Sequence, residues 1–170
     1  MNEILVLRCQ LGERDALEEL VRAWHEPVRT YVGRMLDPGR ADDVTQEVWV
    51  AVVRGLPRLK DPARFAPWLF TIARRAVTNR LREEYGTQES YSEAEETAEP
   101  PALPYEERAA LLDGLAMLPA REREILVLFY LEDLPVEDCA QICGVPVGTV
   151  KSRLFRARRM LKERLKEESQ

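Results

Sequence analysis

Histidine and cysteine are scarce in this chain, with one histidine and three cysteines among 170 residues. A closed zinc site needs four nitrogen or sulfur ligands, so with His25 as the one imidazole no metal is expected. Cys9, Cys139 and Cys143 are odd in number and form no disulfide framework, which fits a reducing cytoplasm. Cys139 and Cys143 share a helix face, where a redox pair can be built; the plainer reading is two small apolar residues packed inside a helical unit. No nucleophile and base can be paired around His25, and no glycine-rich loop is present to cradle a nucleotide. Neither an enzyme nor a cofactor is therefore expected. Long apolar runs are missing too. The longest, Ile125 to Leu131, is far below the ~20 residues of a membrane span, and no secretory or membrane segment is expected. Sustained period-two alternation is absent, which excludes a sheet protein, and no internal repeat is found. A basic total is also lacking: the net charge of −5 argues against a free-standing duplex binder.

The net charge hides a segregation. Residues 71–82 hold Arg74, Arg75, Arg80 and Arg82 without an acid, and residues 83–107 hold nine glutamates without a base. Residues 147–166 then carry eight bases against Glu163 alone. Apolar residues recur with helical spacing on both sides of the acidic stretch. The reading is an all-α chain with two small helical domains, 1–84 and 106–170, joined by a flexible acidic linker over 85–105. Glu, Ser, Thr, Pro and Ala dominate that linker and cannot bury enough surface to order it. Within the first domain, helices are expected near Glu3–Leu11, from Leu17 to Met35 with a kink or split at Pro27, from about Ala41 to Gly55, and from about Pro67 to Glu84. The second should hold helices over Glu106–Met117, Arg121–Leu131 and Val136–Cys143, then a longer one after Pro146.

The end of the chain is the most specific part. Val136 to Cys143 reads as a short helix closed by Gly144, which is free to turn left-handed. Pro146 stands where a new helix starts. In that helix Val150, Leu154, Ala157 and Leu161 fall on one side, with Lys151 and Phe155 in one outer stripe and Ser152, Arg156 and Arg159 in its neighbour. This is the helix-turn-helix plan, whose second helix enters the major groove. Lys151, Ser152, Phe155, Arg156 and Arg159 are the candidate DNA contacts, because arginine can grip guanine bidentately and a phenyl ring can touch a thymine methyl. Arg153, Arg158, Lys162 and Arg164 suit phosphate or solvent.

Two clusters stand out in the first domain. Phe65, Trp68 and Phe70 lie beside Arg74, Arg75, Asn79, Arg80 and Arg82, a mixture that suits unstacked bases of a single strand. Aromatics at helical spacing more often form a core, so these residues alone leave both readings open. On the 41–55 helix, Val44, Val48, Ala51, Val52 and Gly55 make an inward face. Trp49 lies off it among Asp42, Asp43, Gln46 and Glu47, as in a protein-contact surface or as a cover for the preceding helix.

Ala41-Asp42-Asp43-Val44-Thr45-Gln46-Glu47-Val48-Trp49 and Phe65-Ala66-Pro67-Trp68-Leu69-Phe70-Thr71-Ile72-Ala73-Arg74-Arg75 resemble region 2 of a bacterial RNA polymerase sigma factor. Leu118-Pro119 through Glu122-Arg123, with Val145 to Arg159, resemble region 4. Two regions and a short linker are most similar to the extracytoplasmic-function (ECF) class. The resemblance implies that Asp43, Gln46, Glu47 and Trp49 dock on the β′ clamp helices of core RNA polymerase. It implies that Phe65, Trp68, Arg74, Arg75 and Asn79 capture the opened −10 strand, and that Lys151, Ser152, Phe155 and Arg156 read the −35 element as promoter duplex. An anti-sigma factor is the implied inhibitory partner, with action in the cytoplasm and no membrane insertion. Arg75 stands where asparagine is common in the family, and Thr45 and Trp49 also depart from its usual residues. The linker from Glu83 to Glu107 would relax to about 25–30 Å, whereas promoter elements two helical turns apart are separated by roughly 70 Å. A large partner holding each domain would enforce that stretch. The alternative is a dimeric helix-turn-helix transcriptional regulator with a helical sensing domain.

Overall fold

A computed structural model describes residues 2–85 and 114–168. The acidic linker and the greater part of the expected 106–117 helix lie outside the described residues. The chain divides into two compact units, Met1–Gln88 and Glu89–Gln170. The described residues are helical, with no strand among them.

The first unit contains α1 (Asn2–Gln10), α2 (Arg14–Met35), α3 (Pro38–Gly55) and α4 (Phe65–Tyr85). Of the two outcomes expected at Pro27, the split does not occur: α2 runs through it as a single helix. Proline removes one backbone hydrogen bond and disfavours a helix interior by ~3 kcal/mol. What keeps the helix together is its buried stripe, Ala16, Leu20, Val28, Tyr31, Val32 and Met35, which continues on both sides of the proline. Ordering both halves against one core outweighs the local defect.

Helix α3 begins at Pro38 rather than near Ala41, because a proline in the first turn forfeits no intrahelical bond. Its inward face is Ala41, Val44, Thr45, Val48 and Val52. Ala51, expected inward, is exposed. The stripe is centred on Val44, Val48 and Val52, which turns position 51 toward solvent and position 45 toward the core. Thr45 is accommodated there by donating its hydroxyl to the Ala41 carbonyl at 2.6 Å. Between α3 and α4, the expected loop forms two short 3₁₀ turns, Leu56–Arg58 and Pro62–Arg64. The Gln10 amide of α1 donates to the Leu56 and Leu59 carbonyls at 3.0 and 2.8 Å and so fixes this segment. The core is aromatic. Trp24 meets Phe65 at 5.6 Å and Phe70 at 6.4 Å, and Tyr31 meets Phe70 at 5.9 Å, all edge to face. Such pairs add about 0.5–1.5 kcal/mol each beyond the area they bury.

The second unit contains α5 (Ala120–Leu126), a π-helical turn over Val127–Leu131, α6 (Val136–Cys143) and α7 (Val147–Glu168). The sequence leads one to expect a regular helix as far as Leu131. Its last turn widens instead, and the Glu132 amide reaches back five residues to the Val127 carbonyl at 3.0 Å. Ile125, Leu126, Val127 and Leu128 are all fully buried. An ordinary amphipathic helix does not hide four consecutive side chains, and the wider turn serves an apolar run that has no polar side. Opposite them, α7 buries Val150, Leu154, Ala157 and Leu161, the face expected from their spacing.

Candidate nucleic-acid interface

The turn that aims α7 is set by Gly144, in the left-handed region at φ 68° and ψ 35°. The Val145 amide folds back to the Ala140 carbonyl at 3.1 Å, which closes α6. The Pro146 carbonyl then accepts from Thr149 at 3.0 Å and Val150 at 3.2 Å, which starts α7. Only a residue without a Cβ enters that backbone state freely.

With one side of α7 buried, Val147, Lys151, Phe155, Arg159, Lys162 and Lys166 share the opposite ridge at intervals of three or four residues. Phe155 is 37% exposed. The Arg159 guanidinium lies over its ring, 5.9 Å from the centroid, a cation–π arrangement that holds the arginine beside the phenyl. Arg156 flanks the ridge and is partly buried, with Nη1 3.6 Å from Glu122 Oε1 on α5. Ser152 differs from the expected outer stripe. It is 1% exposed, and its hydroxyl donates within its own helix, shared between the Gly148 and Thr149 carbonyls at 3.2 and 3.1 Å. Here it packs the helix rather than facing DNA. Arg153, expected at phosphate or solvent, is also buried.

On α4, Phe65, Leu69, Phe70, Ala73 and Val77 are buried. Trp68, Ile72, Arg75, Asn79 and Arg82 recur at helical spacing on the other side, where Arg75, Asn79 and Arg82 are exposed and Trp68 is partly so. Arg74 is partly buried on their flank. Phe65, expected to touch an opened strand, is 1% exposed and stands between Trp24 and Trp68, 5.9 Å from the latter. It belongs to the core and supports the tryptophan. The Trp68 ring presses on the end of α3 so closely that a Cβ on Gly55 would stand 3.0 Å from it.

On α3, Asp43, Gln46 and Glu47 are exposed and line one open groove of about 540 Å³ with Val50, Arg54 and Arg80. Arg80 of α4 reaches across to Glu47 at 2.7 Å and ties the two helices together. Val50 and Val53 are exposed apolar residues beside these charges. Trp49 is partly buried and does not line the groove. Its indole N–H is enclosed without a hydrogen-bond partner among the described residues.

The thiols stand apart from these surfaces. The thiols of Cys139 and Cys143 are buried. Burial, with Asp138 adding to it, pushes the Cys139 thiol up to about 12, so it stays protonated and inert. Cys143 Sγ lies 3.4 Å from Glu124. Among the described residues no group of three or more His, Cys, Asp or Glu side chains could hold a metal ion. The contacts that sequence reasoning missed, Glu122 and the inward Arg153, carry no local signal. An acid on one helix does not reveal a partner 34 positions later.

Sigma-70 region 2 matches residues 20–86, and sigma-70 region 4 matches residues 108–161. The ECF RNA polymerase sigma factor SigC of Mycobacterium tuberculosis (strain CDC 1551 / Oshkosh) is 32% identical over 158 residues, 91% of this chain and 85% of that protein. The RNA polymerase sigma factor CarQ of Myxococcus xanthus is 33% identical over 167 residues, 94% of this chain and 95% of that one. Among solved structures, the sigma factor RpoE in complex with the anti-sigma factor NepR from Bartonella quintana has a TM-score of 0.63 at 26% identity, covering 88% of this chain and 96% of that chain. The chain belongs to the ECF class of the sigma-70 family. It is a transcription initiation factor that directs core RNA polymerase to specific promoters and assists their opening, which decides against the dimeric regulator.

Proposed function

We propose a division of labour between the units. The groove residues Asp43, Gln46 and Glu47, with Trp49 on the same helix, bind the β′ clamp helices. Trp68, Arg75 and Asn79, with Arg74 beside them, take the opened strand of the −10 element. Lys151, Phe155, Arg156 and Arg159 read the −35 duplex. Phe65 and Ser152 act indirectly, by packing. The observation that carries this reading is the α7 ridge: a mixed basic and aromatic surface on a helix whose other side is sealed into the core and whose entry is fixed by a left-handed turn. The α4 face supports it with an aromatic ring followed by exposed cationic and amide groups, the chemistry of a stacking platform. Action in the cytoplasm fits a chain in which no described helix is long and apolar enough to cross a membrane. Control by an anti-sigma factor is supported by the similarity to RpoE, a sigma factor solved with such a partner.

In transcription assays with core polymerase, Arg159→Ala should weaken initiation at −35-dependent promoters and leave binding to a pre-melted −10 oligonucleotide unchanged. Trp68→Ala should weaken both, because initiation at these promoters also needs the opened −10 strand. Equal losses in both assays from both variants would contradict the division.

A further inference from the structure

The candidate DNA-reading arginines of α7 are not held alike. Arg159 rests on Phe155, its neighbour along the same ridge. Arg156 leans on a carboxylate of another helix, Glu122 of α5, at 3.6 Å. The Glu122 side chain is 9% exposed and that of Arg156 27% exposed, so the pair is screened from solvent on the carboxylate side and open on the guanidinium side. A carboxylate so enclosed is seldom left without a cation. Glu122 also stands in the first turn of α5, where the helix dipole favours a negative charge. Its position is therefore fixed by the fold, and Arg156 is the part that can move.

We propose that Glu122 is a positioning and specificity-determining residue for promoter recognition, holding Arg156 on the flank of the ridge so that its guanidinium meets one base edge in one orientation. An untethered arginine can swing to whichever phosphate is nearest, and phosphate contacts carry no sequence information. A carboxylate 3.6 Å behind the guanidinium attracts it as an ion pair and leaves the donor fork to face the base. It also restricts the rotamers that would otherwise be lost on binding. Removing Glu122 should thus cost selectivity more than affinity. This inference rests on the reading of Arg156 as a −35 contact.

The test uses holoenzyme, assembled from core polymerase and the full chain, on promoters carrying every single substitution across the −35 element. Arg156→Ala first identifies the base pair whose preference depends on Arg156. Glu122→Gln, nearly isosteric and uncharged, should then lower discrimination at that base pair by about three- to tenfold, with other positions and total promoter occupancy nearly unchanged. Placed on Arg156→Ala, it should have no further effect on discrimination. Wild-type discrimination in E122Q, or an equal additional loss in the double variant, overturns the positioning role while leaving the −35 reading intact. No altered preference in R156A overturns both. Should E122Q fail to fold, Glu122→Asp keeps the charge one methylene further back and is judged by the same outcomes.

Discussion

Phe65 and Trp68 are three positions apart and both aromatic, yet burial separates their roles. Phe65→Ala removes a ring buried among aromatics and should destabilise the first unit by about 3–5 kcal/mol. Trp68→Ala, at a partly exposed site, should cost about 1–2 kcal/mol. Urea unfolding measures both, and equal losses would contradict the assignment of Phe65 to the core. Glu132 offers a second residue-level test. Burial, with Asp133 alongside, raises its carboxyl from 4.5 to about 8. The folded state then holds a proton that the unfolded chain releases above about 4.5, so the contribution of this group is greatest below that pH. It falls as pH rises toward 8. Glu132→Gln should raise the thermal midpoint of the second unit at pH 8 and leave it nearly unchanged at pH 4.5. A midpoint raised equally at both would point to packing instead.

At the scale of elements, much was legible because helical spacing and turn chemistry are local. The glycine turn at Gly144, the short helix before it and the buried face through Val150, Leu154, Ala157 and Leu161 all follow from neighbours within a few positions. What escaped was set by the tertiary surroundings. Ser152 and Ala51 sit at the edges of helical stripes, where a few degrees of rotation decide between core and solvent, and that rotation is fixed by the helices packed against them. Phe65 is apolar beside basic residues in either reading, and only the positions of Trp24 and Trp68 make it core. The π turn over Val127–Leu131 answers to burial on several sides at once. At Pro27 the local rule of helix breaking loses to the continuity of the buried stripe. Pro27→Ala restores an amide within an intact helix and should stabilise the first unit by about 1–2 kcal/mol by urea unfolding. A loss of stability would mean that the proline shapes the helix to its core.

For the whole molecule, charge decides what the free chain can do. A basic α7 ridge is attached to a chain of net charge −5, so long-range repulsion from DNA opposes short-range recognition until a larger partner supplies the missing positive surface. The sites proposed for the clamp, the opened strand and the duplex each involve few residues, too few for tight binding alone. The measurement that tests this most directly compares promoter binding by the isolated chain and by holoenzyme at physiological salt. The account predicts weak, poorly selective binding by the isolated chain, and tight, −10- and −35-dependent binding with strand opening once core polymerase is added. Equally tight and selective binding without the polymerase, or no gain on adding it, would contradict it.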